Sequence, residues 1–154
     1  MKEKLSTLWA YINSQEEIIG TLFQKIRDMK PLNEDKMVHS AYLLHNLYSA
    51  YEDMFTEISR TFENNIDWNF GFHKNLLRRM NMAIPGIRPE VLSFDSYQVL
   101  SELMGFRHVF RHAYNFTLSA DRMEVIRKKI LDNQETVERD LKEFKRFLEE
   151  SFSS

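Results

Sequence analysis

Apolar side chains recur every three or four residues through three long stretches of this chain, and this period is the strongest constraint on its fold. The first stretch runs from Leu5 to Met29, the second from Val38 to Phe62, and the last from Met123 to Leu148. Such a period puts apolar side chains on one face of an α-helix, which must pack against another element. Because the chain has only four glycines and three prolines, it lacks the turn formers that an all-β fold needs. The pattern predicts an all-α fold.

Helix-breaking and capping residues divide the first half of the chain. The first helix should end before Pro31, and Asn33 can cap a second helix that ends near Asn64. A shorter helix, about residues 72–83, should precede the two-proline turn at Pro85–Pro89. The connections are short, so neighbouring helices should run antiparallel.

Two more helices complete the predicted bundle. Ser93 or Asp95 can cap the fourth, which runs to about Phe116, and Ser119 can cap the fifth. We therefore expect residues 1–154 to form a single domain, an up-and-down bundle of about five helices.

Composition and local patterns argue against several classes of protein. No apolar run approaches the roughly 20 residues of a membrane-spanning helix, and the N-terminal stretch is amphipathic, unlike a signal peptide. The absence of cysteine excludes disulfides, iron–sulfur clusters and thiolate zinc sites. We therefore expect a cytoplasmic protein with no membrane association.

Metal and cofactor sites have little support in the sequence. Bundles often hold metals through Glu-x-x-His pairs, and no such pair occurs in this chain. His108 and His112 have a spacing that can chelate zinc, but no zincin-type Glu lies between them, and Arg111 would repel a dication. Phosphate-binding glycine loops are also missing. We expect neither a metal nor a cofactor.

The predicted fourth helix carries a dense cluster of polar groups. Two arginines, two histidines and a tyrosine fall within eight positions: Arg107, His108, Arg111, His112 and Tyr114. Histidine, with a reference pKa of about 6.5, can move a proton near neutral pH, and arginine can hold a phosphate and neutralise its charge. These groups suit phosphodiester cleavage without a metal. A solvated basic helix face would have the same residues, so residue types alone leave both interpretations open.

The net charge of −2 hides a skew along the chain. Residues 73–112 carry six basic and three acidic residues, whereas the rest carries 15 basic and 20 acidic ones. Lys74, Arg78, Arg79 and Arg88 in this segment are candidates for contacting an RNA backbone. Each could equally be an ordinary solvated charge.

The spacing Arg107-x4-His112-x-Tyr114 resembles the Arg-x(4–6)-His-x-Tyr signature of HEPN ribonucleases, and its particular form resembles HepT-like toxins. Similar segments follow in the family's usual order at 44–54, 72–77, 88–93 and 106–114. The resemblance implies a toxin that is a metal-independent endoribonuclease, acting on tRNA or another cellular RNA. In it, Arg107 and His112 would be the catalytic pair, with His112 transferring the proton.

The resemblance also implies partners. In related systems a minimal nucleotidyltransferase antitoxin adenylylates the tyrosine that matches Tyr114, and the added negative charge would block RNA from the cleft. The family further implies a homodimer with the two motifs facing one another. Glu52 matches a position where relatives often carry an acidic residue near the motif. His108 stands where many relatives have Asn, so it either assists proton transfer or replaces that side chain structurally.

Helix geometry adds an argument for a composite site. Arg107 and His112 are five residues apart and project about 140° from each other, so one straight helix presents both to a single phosphate with difficulty. A second protomer could complete the cleft at a twofold interface.

Two alternatives to the ribonuclease remain: a catalytically silent HEPN module that binds a nucleotidyltransferase or nucleotide, and a structural bundle. Silent modules usually lack the motif Arg or His, both present here.

Overall fold

The computed structural model describes residues 1–29, 34–63, 71–112 and 120–154. For residues 34, 35, 72, 73 and 108–112 it describes the backbone but not the side chains. The described ranges contain six helices: α1 Lys2–Asp28, α2 Glu34–Phe62, α3 Phe72–Met80, α4 Phe94–His112, α5 Ala120–Asp132 and α6 Gln134–Ser153. An isolated bridge between Ile84 and Arg88 is the only β pairing in these ranges. The prediction of an all-α fold is confirmed for the described residues. None of their helices is long and apolar enough to cross a membrane.

The predicted fifth helix is two helices, which corrects the expected number. α5 and α6 are separated at Asn133, whose side-chain Nδ2 donates to the carbonyl oxygen of Lys129 at 2.8 Å. An asparagine side chain that bonds a local carbonyl competes with the helical backbone and favours a break. The apolar period continues across the break, with Ile130 and Val137 both buried, so periodicity alone could not reveal it.

The start of α4 and the end of α3 follow from hydrogen bonds near the two-proline turn. Of the two predicted caps, Ser93 and Asp95, it is Ser93 that caps α4, accepting the backbone N–H of Ser96 on its Oγ at 3.4 Å. α3 ends at Met80, three residues earlier than expected, because the carbonyl oxygen of Met80 accepts the N–H groups of Val91 and Leu92. The predicted caps Asn33 and Ser119 lie outside the described residues.

α2 is the central helix, and it packs against α1, α3, α4 and α5. Its core-facing residues are almost fully buried: Leu44, Leu47, Tyr51, Met54, Phe55 and Ile58. Glu63, just after α2, pairs with Arg88, which precedes α4, whereas Glu52 pairs with Arg107 late in α4. α4 therefore runs antiparallel to α2, and the predicted motif begins beside the middle of α2.

Candidate functional site

Arg107 on α4 forms a largely buried ion pair with Glu52 on α2. Its Nη1 lies 3.5 Å from Glu52 Oε2, and each side chain is 12% exposed. This distance exceeds the roughly 2.7–2.9 Å of a strong charge-assisted hydrogen bond, so Glu52 holds the guanidinium mainly by charge. The two residues are 55 positions apart in the chain, and the antiparallel packing of α2 and α4 brings them together. The structure thus places Glu52 next to the motif arginine.

Tyr48, which belongs to the apolar stretch from Val38 to Phe62, lies under the same guanidinium, and the sequence did not single it out as a site residue. Arg107 Cζ is 5.5 Å from the centroid of the Tyr48 ring, within the range of a cation–π contact. Tyr48 is 1% exposed and one helical turn before Glu52. Its four-residue spacing from Glu52 places the two side chains on one helix face, but this spacing does not show that the face meets Arg107.

The electrostatics of the site follow from this packing. Burial raises the pKa of the Tyr48 hydroxyl well above its usual value; the Glu52 carboxylate adds to the rise and Arg107 opposes it. Burial also raises the pKa of Asp53, again with Glu52 adding and Arg107 opposing. The tyrosine therefore stays neutral at physiological pH and serves Arg107 as an uncharged aromatic surface.

The remaining motif residues lie at the edge of what the structure describes. The α4 backbone extends through His112, and the side chains of His108, Arg111 and His112 are outside the described set. Tyr114 lies wholly outside the described residues. Their assigned roles stay predictions. No group of three or more His, Asp or Glu side chains that could hold a metal is found among the described side chains, which do not include those histidines.

The expectation that Arg88 contacts RNA was wrong. Its side chain is 0% exposed and pairs with Glu63 at 3.1 Å. It also donates to three backbone carbonyl oxygens, those of Arg79, Met82 and Pro89. Arg88 therefore fastens the two-proline turn to the ends of α2 and α3, and it has no surface to offer a ligand.

The other three candidate RNA contacts lie on α3. Lys74, Arg78 and Arg79 are exposed, and Arg79 also pairs with Glu63 at 3.3 Å. Exposed cations can approach a phosphate backbone, and the role of Lys74 and Arg78 in contacting RNA stays a prediction. For Arg79, the pair with Glu63 offsets part of the positive charge on which that prediction relies.

Comparison with known proteins decides the family. A family model described as HepT-like protein matches residues 39–148, well over half of the chain. This chain belongs to the HepT-like family. No curated protein and no solved structure matches it. The matched range of this HepT-like chain includes Tyr48, Glu52 and Arg107, whereas α1 lies outside that range and packs against α2. The resemblance that the motif suggested is confirmed.

Proposed function

We propose that this HepT-like protein is a toxin that cleaves RNA without a metal, with Arg107 and His112 as its catalytic pair. The observation that carries the proposal is the way in which neighbouring side chains hold Arg107. This arginine is held by Glu52 and Tyr48 on a neighbouring helix in a chain of the HepT-like family. A cation fixed before substrate arrives can stabilise developing charge without further reorganisation, and such stabilisation often supplies most of an enzyme's rate enhancement.

The proposed reaction is an attack of the ribose 2′-oxygen on the adjacent phosphorus. The new O–P bond forms as the bond from phosphorus to the 5′-oxygen breaks, which gives a cyclic phosphate and a free 5′-hydroxyl. One proton leaves the 2′-hydroxyl and one reaches the 5′-oxygen, and His112 performs one of these transfers. His108 is the candidate for the other transfer, and Arg111 for additional charge. Arg107 neutralises the non-bridging oxygens, so no metal ion is required.

Glu52 has a supporting role in this proposal. Its carboxylate fixes the position of Arg107 but also offsets the positive charge, with Asp53 adding further negative charge nearby. Binding of a phosphate therefore requires more positive charge than Arg107 alone provides. The basic α3 residues Lys74 and Arg78 would supply it along the RNA backbone.

The proposed regulator is a minimal nucleotidyltransferase antitoxin that adenylylates Tyr114. Tyr114 is two residues beyond His112 in the sequence, so an added nucleotide would bring negative charge close to the motif. Like charge and bulk would then exclude the RNA. The tyrosine is thus the proposed switch of the toxin.

We also propose that the active site is completed by a second copy of the chain. Two apolar side chains on the side of α2 that leads to Glu52 are open to solvent, with Val38 52% and Tyr42 53% exposed. When two copies of α2 pack antiparallel about a twofold axis, these apolar side chains of one protomer can meet those of its partner.

Mixing two inactive variants tests whether the site is shared. If Arg107 of one protomer acts with His112 of the other, a heterodimer of Arg107→Ala and His112→Ala keeps one intact site. We expect the mixture to recover roughly half of the wild-type activity per heterodimer, although each variant alone is inactive. An inactive mixture, with heterodimer formation verified by native mass spectrometry, would place both groups of each site in one protomer.

The class of activity is tested by incubating the purified protein with total RNA in EDTA. The wild type should cleave RNA, and His112→Ala should not.

A further inference from the structure

We propose that Tyr48 is a positioning residue that sets the orientation of the Arg107 guanidinium toward the scissile phosphate. This inference rests on the proposed ribonuclease function and adds a residue that the motif does not contain. Tyr48 does not contact the reacting atoms. It acts through Arg107, by fixing the plane in which the guanidinium lies.

The contacts of Arg107 leave few directions open for a ligand. Its Cζ lies 5.5 Å from the Tyr48 ring centroid. Nη1 is turned toward Glu52 at 3.5 Å, and Nε is buried without a hydrogen-bond partner among the described residues. Because the ring lies against one face and Nε is buried, we infer that a phosphate reaches the guanidinium at its Nη edge. A planar group whose position is fixed in this way binds a phosphate in a defined geometry.

Tyr48 suits this role because its own position is fixed. It is 1% exposed on the central helix α2, which packs against α1, α3, α4 and α5. Its aromatic ring attracts a cation to its face, which an aliphatic side chain of similar size does not do. Because burial raises the pKa of its hydroxyl, the ring stays neutral and its attraction for Arg107 does not change with pH near neutrality.

Tyr51 provides a matched control on the same helix. It is also 1% exposed, but its ring stacks on Phe55 with a centroid distance of 6.0 Å. Replacing Tyr51 with Leu thus removes a buried aromatic ring of α2 that is not paired with Arg107. Its effect on activity measures the cost of disturbing the core alone.

The experiment compares Tyr48→Phe, Tyr48→Leu and Tyr51→Leu in cleavage of a model RNA, well below the melting temperature of each variant. We expect Tyr48→Leu to lower kcat about 10- to 100-fold with KM within about threefold, because a misplaced catalytic group costs mainly transition-state stabilisation. Tyr48→Phe, which keeps the ring, should retain kcat within about threefold, and Tyr51→Leu likewise. Equal losses in Tyr48→Leu and Tyr51→Leu would overturn the proposal, as would equal losses in Tyr48→Phe and Tyr48→Leu.

A second series covers the case in which Tyr48→Leu does not fold. Phenylalanines with increasing fluorination at position 48 keep the shape of the ring and weaken its attraction for a cation. We expect kcat to fall stepwise with the number of fluorines, and an unchanged kcat would contradict the role of the ring face.

Nuclear magnetic resonance of Arg107 gives a readout that does not depend on activity. The ring current of Tyr48 should shift the guanidinium resonances of Arg107. The shift should persist in Tyr48→Phe and disappear in Tyr48→Leu; a shift retained in Tyr48→Leu would overturn the contact. An inactive wild type would overturn the proposed function itself, whereas an active wild type with a fully active Tyr48→Leu would overturn only the role of Tyr48.

Discussion

Two arginines of the same basic segment differ in role once their surroundings are known. Arg88 has a side chain with 0% exposure and carbonyl oxygens around it, whereas Arg107 is 12% exposed and lies on an aromatic ring. A count of charges along the chain treats the two alike. Arg88 is buried at the two-proline turn, and the surroundings of Arg107 come from the packing of α4 on α2. Neither feature can be read from the charge pattern of the sequence.

Arg88 should contribute to the stability of the fold, and its replacement should not change RNA affinity in a variant that remains folded. Arg88→Ala removes four hydrogen bonds and leaves Glu63, which is 10% exposed, with less positive charge. We expect a loss of about 3–5 kcal/mol in the free energy of unfolding, measured by urea denaturation. Arg88→Lys should also destabilise, because an ammonium cannot reach all four acceptors.

The exposed Arg78 on α3 provides the comparison for Arg88. Arg78→Ala should change stability by less than about 0.5 kcal/mol and should weaken RNA binding with a flatter salt dependence. A stable Arg88→Ala with weakened RNA binding would restore Arg88 to the binding surface and contradict its assigned role.

The sequence located the motif but not its environment. Arg107 and His112 could be chosen by their spacing, and Glu52 by resemblance to the family. Tyr48 could not be chosen, because it reads as one more apolar position of an amphipathic helix and is 59 residues from Arg107. Its role depends on the register of α2 against α4, which no local pattern specifies.

At the level of elements, a single carboxylate fastens the start of α4 to α6. Asp140 Oδ2 accepts the Ser93 N–H at 2.8 Å, the Ser93 hydroxyl at 2.7 Å and the Ser96 hydroxyl at 2.5 Å. Negative charge at a helix N-terminus is also favourable to the helix dipole. Asp140 thereby fixes where α4 begins, and α4 carries Arg107.

Asp140→Ala should therefore loosen α4 at its start. Three hydrogen-bond donors lose their acceptor, and we expect a loss of about 1–3 kcal/mol in the free energy of unfolding. Hydrogen exchange should rise in the first turn of α4. Glu143→Ala on the same helix is the control, because its pair with Arg146 is exposed and should contribute less than about 0.5 kcal/mol. Equal effects of the two substitutions would refute the capping role.

The element boundaries show which signals a sequence carries. The Ser93 cap was predicted because its residue type and position before an apolar period are local features. The Asp140 contact was not, since it joins residues 47 positions apart. The break at Asn133 was missed because the buried stripe continues through it. All-α architecture followed from periodicity, whereas helix number depended on one asparagine.

At the scale of the whole molecule, the open face of α2 is the surface proposed to meet a second copy. Tyr42 is 53% exposed there, so Tyr42→Asp should leave the fold intact and weaken the dimer by at least about tenfold. Activity at a fixed protein concentration should fall with it. Val125→Asp on α5 is the control, because Val125 is 54% exposed on a different helix. A Tyr42→Asp protein that sediments as the wild type does would exclude this face from the interface.

The most direct test of the proposed ribonuclease is cleavage of total RNA by the purified protein in EDTA, comparing wild type, Arg107→Ala and His112→Ala. We predict defined cleavage products by the wild type, with cyclic phosphate ends, and a loss of at least about 100-fold in rate for each variant. Melting curves should confirm that both variants remain folded. RNA left intact by the wild type, or cut equally by the folded His112→Ala protein, would contradict the proposed function.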